Sequence, residues 1–156
     1  MLEHLKSHLK GKVVILAIGN TLRSDDGAGP VFAQRIKDKL TFKVFDAGTT
    51  PENYFGKIIK ETPDNLIIVD AVDFGGKPGE IAIIEGDALK TTNLFATHNA
   101  SISLVTSYLQ NNLAADIIAL AIQPKTIAFG DKLSREVTEA LDKLEGWFCE
   151  TGKEER

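Results

Sequence analysis

Six apolar residues stand in unbroken succession from Val13 to Ile18. The run is too uniformly hydrophobic for a half-exposed strand, so it predicts a central strand buried on both faces and stopping at Gly19. Beyond a polar loop, Val31, Ala33, Ile36 and Leu40 recur at helical spacing, with Pro30 near a first-turn position that it can occupy. A second strand is expected over about Phe42 to Phe45, ending at Asp46-Ala47-Gly48-Thr49. Thr50-Pro51-Glu52 reads as an N-cap, a first-turn proline and a first-turn acid, opening a helix through Tyr54, Phe55, Ile58 and Ile59. Leu66 to Val69 predicts a third buried strand that delivers Asp70 at its carboxyl end. Gly75-Gly76-Lys77-Pro78-Gly79 is a loop by composition, a plain turn rather than a hinge, and Glu80 to Glu85 follows as a fourth strand whose pairing the pattern leaves open. The span from Gly86 to Thr97 looks irregular. Ile102, Val105 and Leu109 then mark a helix that His98 would begin, and Ile117 to Ile122 a fifth strand ending at Gln123-Pro124-Lys125. Ser134 caps a last helix whose Val137, Ala140, Leu141, Leu144 and Phe148 form one stripe.

Strands alternating with helices imply the α/β class: a single-domain three-layer α/β/α sandwich around a mostly parallel, five-stranded twisted sheet with right-handed crossovers. The expected domain is 1–150, with 151–156 as a polar tail. In such a sheet the strand carboxyl ends share one edge, and ligands bind in the crevice outside it. The loop after the first strand, Asp46, Asp70 and the Gln123 turn can all gather there.

Composition narrows the class. Hydrophobic residues make up 43% and charged residues 26% of the 156, which is ordinary globular composition, and 18 basic against 22 acidic side chains leave a net charge of −4 without a basic stripe. Nucleic acid is therefore disfavoured as a partner. The longest apolar runs fall far short of the roughly 20 residues that cross a bilayer, and the N-terminus lacks a signal-peptide pattern. Cys149, the only cysteine, fits a reducing compartment. The expectation is a soluble cytoplasmic protein, and a monomer, since no heptad or long apolar stripe demands a partner.

The candidate chemistry sits in Gly19-Asn20-Thr21-Leu22-Arg23-Ser24-Asp25-Asp26-Gly27-Ala28-Gly29-Pro30, where two adjacent carboxylates precede a helix. One carboxylate suits a helix N-terminus, but two repel unless water, a base or a metal takes up the surplus. Asp26, Asp70 and His98 together offer two oxygens and one imidazole nitrogen, a donor set suited to nickel or zinc with coordination positions left open. Each also has a plain structural use: a turn and helix cap, a loop cap at a strand end, an ordinary helix-start residue. His4 and His8, four residues apart, would share a helical face and could hold a metal, but a helix of Leu2 to Leu9 is short enough to fray. Cys149 reads as a bystander, there is no Gly-x-Ser-x-Gly elbow and no His-Glu-x-x-His motif. What remains is attack by water on a metal-polarised carbonyl, with a carboxylate taking the proton.

Taken together, Gly19-Asn20-x-Leu22-x-x-Asp25-Asp26-Gly27-x-Gly29, Asp46-Ala47-Gly48-Thr49, Asp70-Ala71, Thr97-His98, Ile122-Gln123-Pro124-Lys125, Phe129-Gly130 and Leu133-Ser134 make the chain resemble the hydrogenase maturation endopeptidases over nearly its whole length. That family removes a C-terminal peptide from the large subunit precursor of nickel-iron hydrogenases. The resemblance implies that Asp26, Asp70 and His98 contact nickel, and that the nickel arrives on the loaded precursor instead of residing in the peptidase. Asp26 or Asp70 is then the candidate catalytic base, provided it is not fully engaged as a ligand, with Gly19, Asn20, Asp25, Asp46, Gly48, Thr97 and Gln123 expected to line or orient the cleft. The Gln123 region looks most like relatives serving hydrogenases of the formate-hydrogenlyase kind.

Three rivals stand beside it. A phosphoacceptor receiver domain also has an acidic pair after strand one, an aspartate after strand three and a lysine after strand five, which Asp25-Asp26, Asp70 and Lys125 imitate. A dinucleotide site is opposed by the acids that would face the phosphate. A non-catalytic nickel-binding chaperone needs the same ligands without turnover.

Overall fold

Side chains of the central strands alternate between two apolar layers, and this alternation organises the molecule. In the computed structural model, which describes residues 2–86, 88–91, 95–96 and 102–154, strand β1 (Val13–Ile18) pairs in parallel with β2 (Lys43–Gly48) on one side and β3 (Asn65–Asp73) on the other. β3 pairs in parallel with β6 (Asp116–Ile122), and β4 (Ile81–Glu85) closes that side antiparallel to β6, giving the order β2-β1-β3-β6-β4. The five-stranded, mostly parallel α/β sheet is as expected. A two-residue strand, β5 (Phe95–Ala96), is added antiparallel to the end of β3, within the span read as irregular.

On one face, Val13, Ile15, Ile67, Val69, Ile118 and Leu120 pack against α1 (Leu2–His8), α2 (Ala28–Ile36) and α6 (Arg135–Glu154) through Leu5, Phe32, Ile36, Leu141, Leu144 and Phe148. On the other, Val14, Leu16, Ile18, Leu66, Ile68 and Ala119 meet α3 (Phe55–Glu61), the short α4 (Ala88–Thr91) and α5 (Ile102–Asn112) through Ile58, Leu89, Val105 and Leu109. Burial on both faces is why β1, β3 and β6 read as continuous apolar runs. No described helix is long and apolar enough to cross a membrane.

Several local expectations are corrected. The segment expected to fray is the helix α1, because Leu5 is fully buried and Leu9 nearly so; tertiary burial compensates for a length at which an isolated helix would be marginal. Thr50 does not cap: Pro51–Tyr54 is a 3-10 turn, and the Thr50 hydroxyl is directed at the Ala47 carbonyl instead. The tail placed at 151–156 is in part the end of α6, which runs to Glu154 with Thr151 buried. The stripe from Val137 to Phe148 is buried as predicted, and the Ser134 hydroxyl accepts from the Val137 N–H.

Candidate active site

β1 ends at Ile18, and the chain turns at Gly19 into the loop that carries the acids. A side chain at Gly19, whose φ is +153°, would collide with the carbonyl of Asp26, so this turn closes only around a glycine. Its N–H donates to the Gly48 carbonyl (2.9 Å), tying the loop to the end of β2. Ser24–Gly27 forms a 3-10 turn, and α2 begins immediately after it. Gly29 lets the first turn of α2 press onto the sheet: a methyl group there would overlap the Ile18 carbonyl oxygen and lie 2.8 Å from that of Val69. The turn thereby sits against β3, where Asp70 is the first residue past the β1 pairing.

The adjacent acids do different things, although both are completely buried. Asp25 is an acceptor for backbone far along the chain: Lys125 and Thr126 N–H donate to its Oδ2 (2.8 and 3.3 Å), and Ser134 N–H donates to Oδ1 (2.7 Å). It braces the 124–134 loop beneath the site. The Ser24 hydroxyl, donating to the Ala128 carbonyl (2.7 Å), and the Ser24 N–H, donating to that of Gly130 (2.8 Å), secure the same loop.

Asp26 accepts the Asn20 N–H on Oδ2 (3.2 Å) and acts electrostatically on Asp70. Burial pushes the Asp70 carboxyl well above the usual carboxylate range, and the negative charge of Asp26 pushes it further, against a backbone N–H of Ala71 that favours ionisation. Two buried carboxylates that repel one another hold a proton between them or attract a cation, so this donor set fits a divalent ion supplied from outside.

Other expected site residues are arranged less simply. Gln123 Oε1 accepts the N–H groups of Phe74 and Gly76 (2.9 and 3.1 Å) while its amide donates to Asp73 Oδ1 (3.1 Å), so it organises the loop after β3. The Gly75 N–H donates to the same Asp73 oxygen (3.0 Å) and holds that carboxyl below its ordinary range, which makes Gly75-Gly76 a braced turn. Asp46 alternates onto the face of Val44, where the Gln34 amide donates to it (3.1 Å), whereas Asp70 lies on the face of Ile68 and Val72. Both acids stand at the carboxyl edge of the sheet, as expected, but strand alternation turns them to opposite faces. Thr97 and His98 lie outside the described residues. Ser24 and Gly29 stand within the loop singled out for its chemistry but carry no role of their own in its local pattern, and Asp73 has no signal in the sequence at all.

Two observations set the receiver reading aside. The Lys125 amine pairs with Glu136 (3.1 Å), and the edge strand β4 is antiparallel, unlike the edge strand of a doubly wound receiver sheet.

Comparison with known proteins agrees with the geometry. The family model described as HycI, hydrogenase maturation protease, matches residues 31–150. The hydrogenase 3 maturation protease of Escherichia coli K12 is 35% identical over 140 residues, covering 86% of this chain and 89% of the relative. The crystal structure of the [NiFe] hydrogenase maturation protease HycI from Thermococcus kodakarensis KOD1 superposes with a TM-score of 0.84 at 32% identity, covering 96% of this chain and 99% of that one. The solution structure of the endopeptidase HycI from Escherichia coli gives 0.76 at 33%, covering 88% and 91%. A buried pair of carboxylates at the carboxyl edge of this sheet, joined to matches of that extent, makes the chain a member of the HycI family of hydrogenase maturation proteases.

Proposed function

We propose that this chain is an endopeptidase that removes a C-terminal peptide from the nickel-loaded large subunit precursor of a nickel-iron hydrogenase, acting in the cytoplasm as a monomer. Nickel enters as part of the substrate, held by the precursor, and Asp26, Asp70 and His98 contact it. The observation that carries the reading is that Asp26 and Asp70, from separate elements, are both completely buried at the carboxyl edge of the sheet, with the charge of Asp26 raising the proton affinity of Asp70.

A weak, open ligand set suits a proofreading role. Two carboxylates and one imidazole complete a coordination sphere that the precursor has begun, so binding differs between loaded and empty precursor, and specificity is that difference. In the hydrolytic step, water attacks the scissile carbonyl, whose polarisation the substrate's metal supplies. Burial and the charge of Asp26 raise the affinity of Asp70 for a proton, and whichever of Asp26 and Asp70 the metal does not fully engage takes the proton from the attacking water and passes it to the leaving amine. Asp25 acts at one remove, by bracing the loop on which the site rests.

The test is release of the C-terminal peptide from purified precursor, followed by mass spectrometry, with nickel-loaded and nickel-free precursor compared. Release from loaded precursor alone is expected, and Asp70→Ala or His98→Ala should abolish it with the fold retained. Cleavage of both precursor forms at equal rates would remove the metal-reading role, and full activity in both variants would remove those residues from the site. Formation of a stable complex with loaded precursor but no released peptide would support a nickel chaperone instead.

A further inference from the structure

Among the described residues, one group of three imidazole or carboxylate side chains, His4, His8 and Glu85, brings its donor atoms within 4.8 Å of one another. His4 and His8 stand one helical turn apart on α1, their ring centroids 4.6 Å apart, and both face the end of β4. The Nε2 of His4 lies 2.9 Å from Glu85 Oε1, and that of His8 lies 3.8 Å from Glu85 Oε2. Donors about 2.0–2.2 Å from a common ion are roughly 3–3.5 Å apart, so modest rotation of these side chains brings the three into coordination distance. They remain reachable from water, with side-chain exposures of 57%, 41% and 38%.

The surroundings favour a cation further. His8 and Glu85 line a cleft of about 310 Å³ with Gln110 and Asp116. The Gln110 Oε1 is buried and has no hydrogen-bond partner among the described residues, an oxygen suited to accept from a metal-bound water. Asp116 adds a second carboxylate to the rim.

This cluster is separate from Asp26 and Asp70. Glu85 pairs with Ile118 near the start of β6, whereas Asp70 pairs with Ala121 near its end. Three residues of strand, about 10 Å, and the intervening strand β6 lie between them. The cluster therefore occupies the amino edge of the parallel strands.

We propose that His4, His8 and Glu85 form a second metal site, taking a divalent transition cation of the zinc and nickel class with two imidazole nitrogens and one carboxylate and leaving positions open for water. Hard ions such as magnesium are disfavoured, because they prefer all-oxygen sets. An ion there joins α1 to the edge strand β4, elements otherwise far apart in the chain, and stabilises the folded state by binding it in preference to the unfolded one.

The test uses the untagged full chain carrying His98→Ala, which takes the remaining imidazole out of play. Calorimetric titration with Zn²⁺, and separately with Ni²⁺, should show one saturable site accompanied by a rise in Tm and by shifts of the His4 and His8 imidazole resonances. Adding His4→Ala or His8→Ala should weaken binding by about tenfold or more, and Glu85→Gln should weaken it as well, each leaving circular dichroism unchanged. The proposal is overturned by the absence of saturable binding up to about 1 mM ion, by affinity unchanged in both histidine variants, or by equal affinity for Mg²⁺.

Discussion

At the scale of single residues, the adjacent pair Asp25-Asp26 shows how two identical side chains acquire different roles. Asp25 spends both oxygens on three backbone N–H donors, so an amide in its place must turn its own N–H groups towards one set of them. Asp25→Asn is expected to cost roughly 2–4 kcal/mol in chemical denaturation, the range for stranding buried donors of a charge-assisted cluster. A loss below half a kcal/mol would show that the loop needs no such brace. Asp70 makes an opposite prediction. Its folded carboxyl holds a proton more tightly than the unfolded one, so unfolding releases protons above the ordinary aspartate value of about 3.9, and its contribution to stability falls as pH rises towards the folded value. In the metal-free protein, Asp70→Asn should therefore gain on the parent as pH rises above the ordinary aspartate value of about 3.9 towards the folded value, read as a widening difference in Tm. A constant difference would mean that the carboxyl titrates alike in both states.

Among the elements, α2 and its entry turn carry the site. Gly29 permits the close approach of α2 to Ile18 and Val69, and Gly29→Ala should displace the helix N-terminus, lowering stability by about 1–3 kcal/mol and reducing peptide release, measured by denaturation and by the processing assay on one preparation. Normal processing with a full-length shift in stability would separate helix packing from site geometry. Much at this scale was legible in the chain. The strands β1, β3 and β6, the stripe of α6 and its Ser134 cap follow from burial period and local capping chemistry, which need only neighbours in sequence. The helix α1 was not legible, because its anchor, Leu5, is stable only against a core assembled from distant residues. Nor was the antiparallel pairing of β4, since its apolar pattern would suit either direction beside β6.

In the whole molecule, one sheet serves two apolar layers. Trp147 lies against Phe148 on the side of α6, and Tyr54 lies against Phe45 on the side of α3, so each reports a different layer. Because the central strands belong to both, the layers should unfold together: indole fluorescence, tyrosine signal and far-ultraviolet circular dichroism should give one midpoint in urea. Separated midpoints would divide the molecule into independently stable layers. By itself, the amino-acid order determined the class of fold, the apolar strands of its centre and the carboxylates that stand near their ends, because periodic burial and turn chemistry act over a few residues. Only the tertiary structure decided that Asp25 braces a loop a hundred positions away while the charge of Asp26 acts on the buried Asp70, and that Asp46 is turned to the opposite face. Those choices depend on strand register and on donors that chain folding, rather than chain neighbourhood, brings within reach.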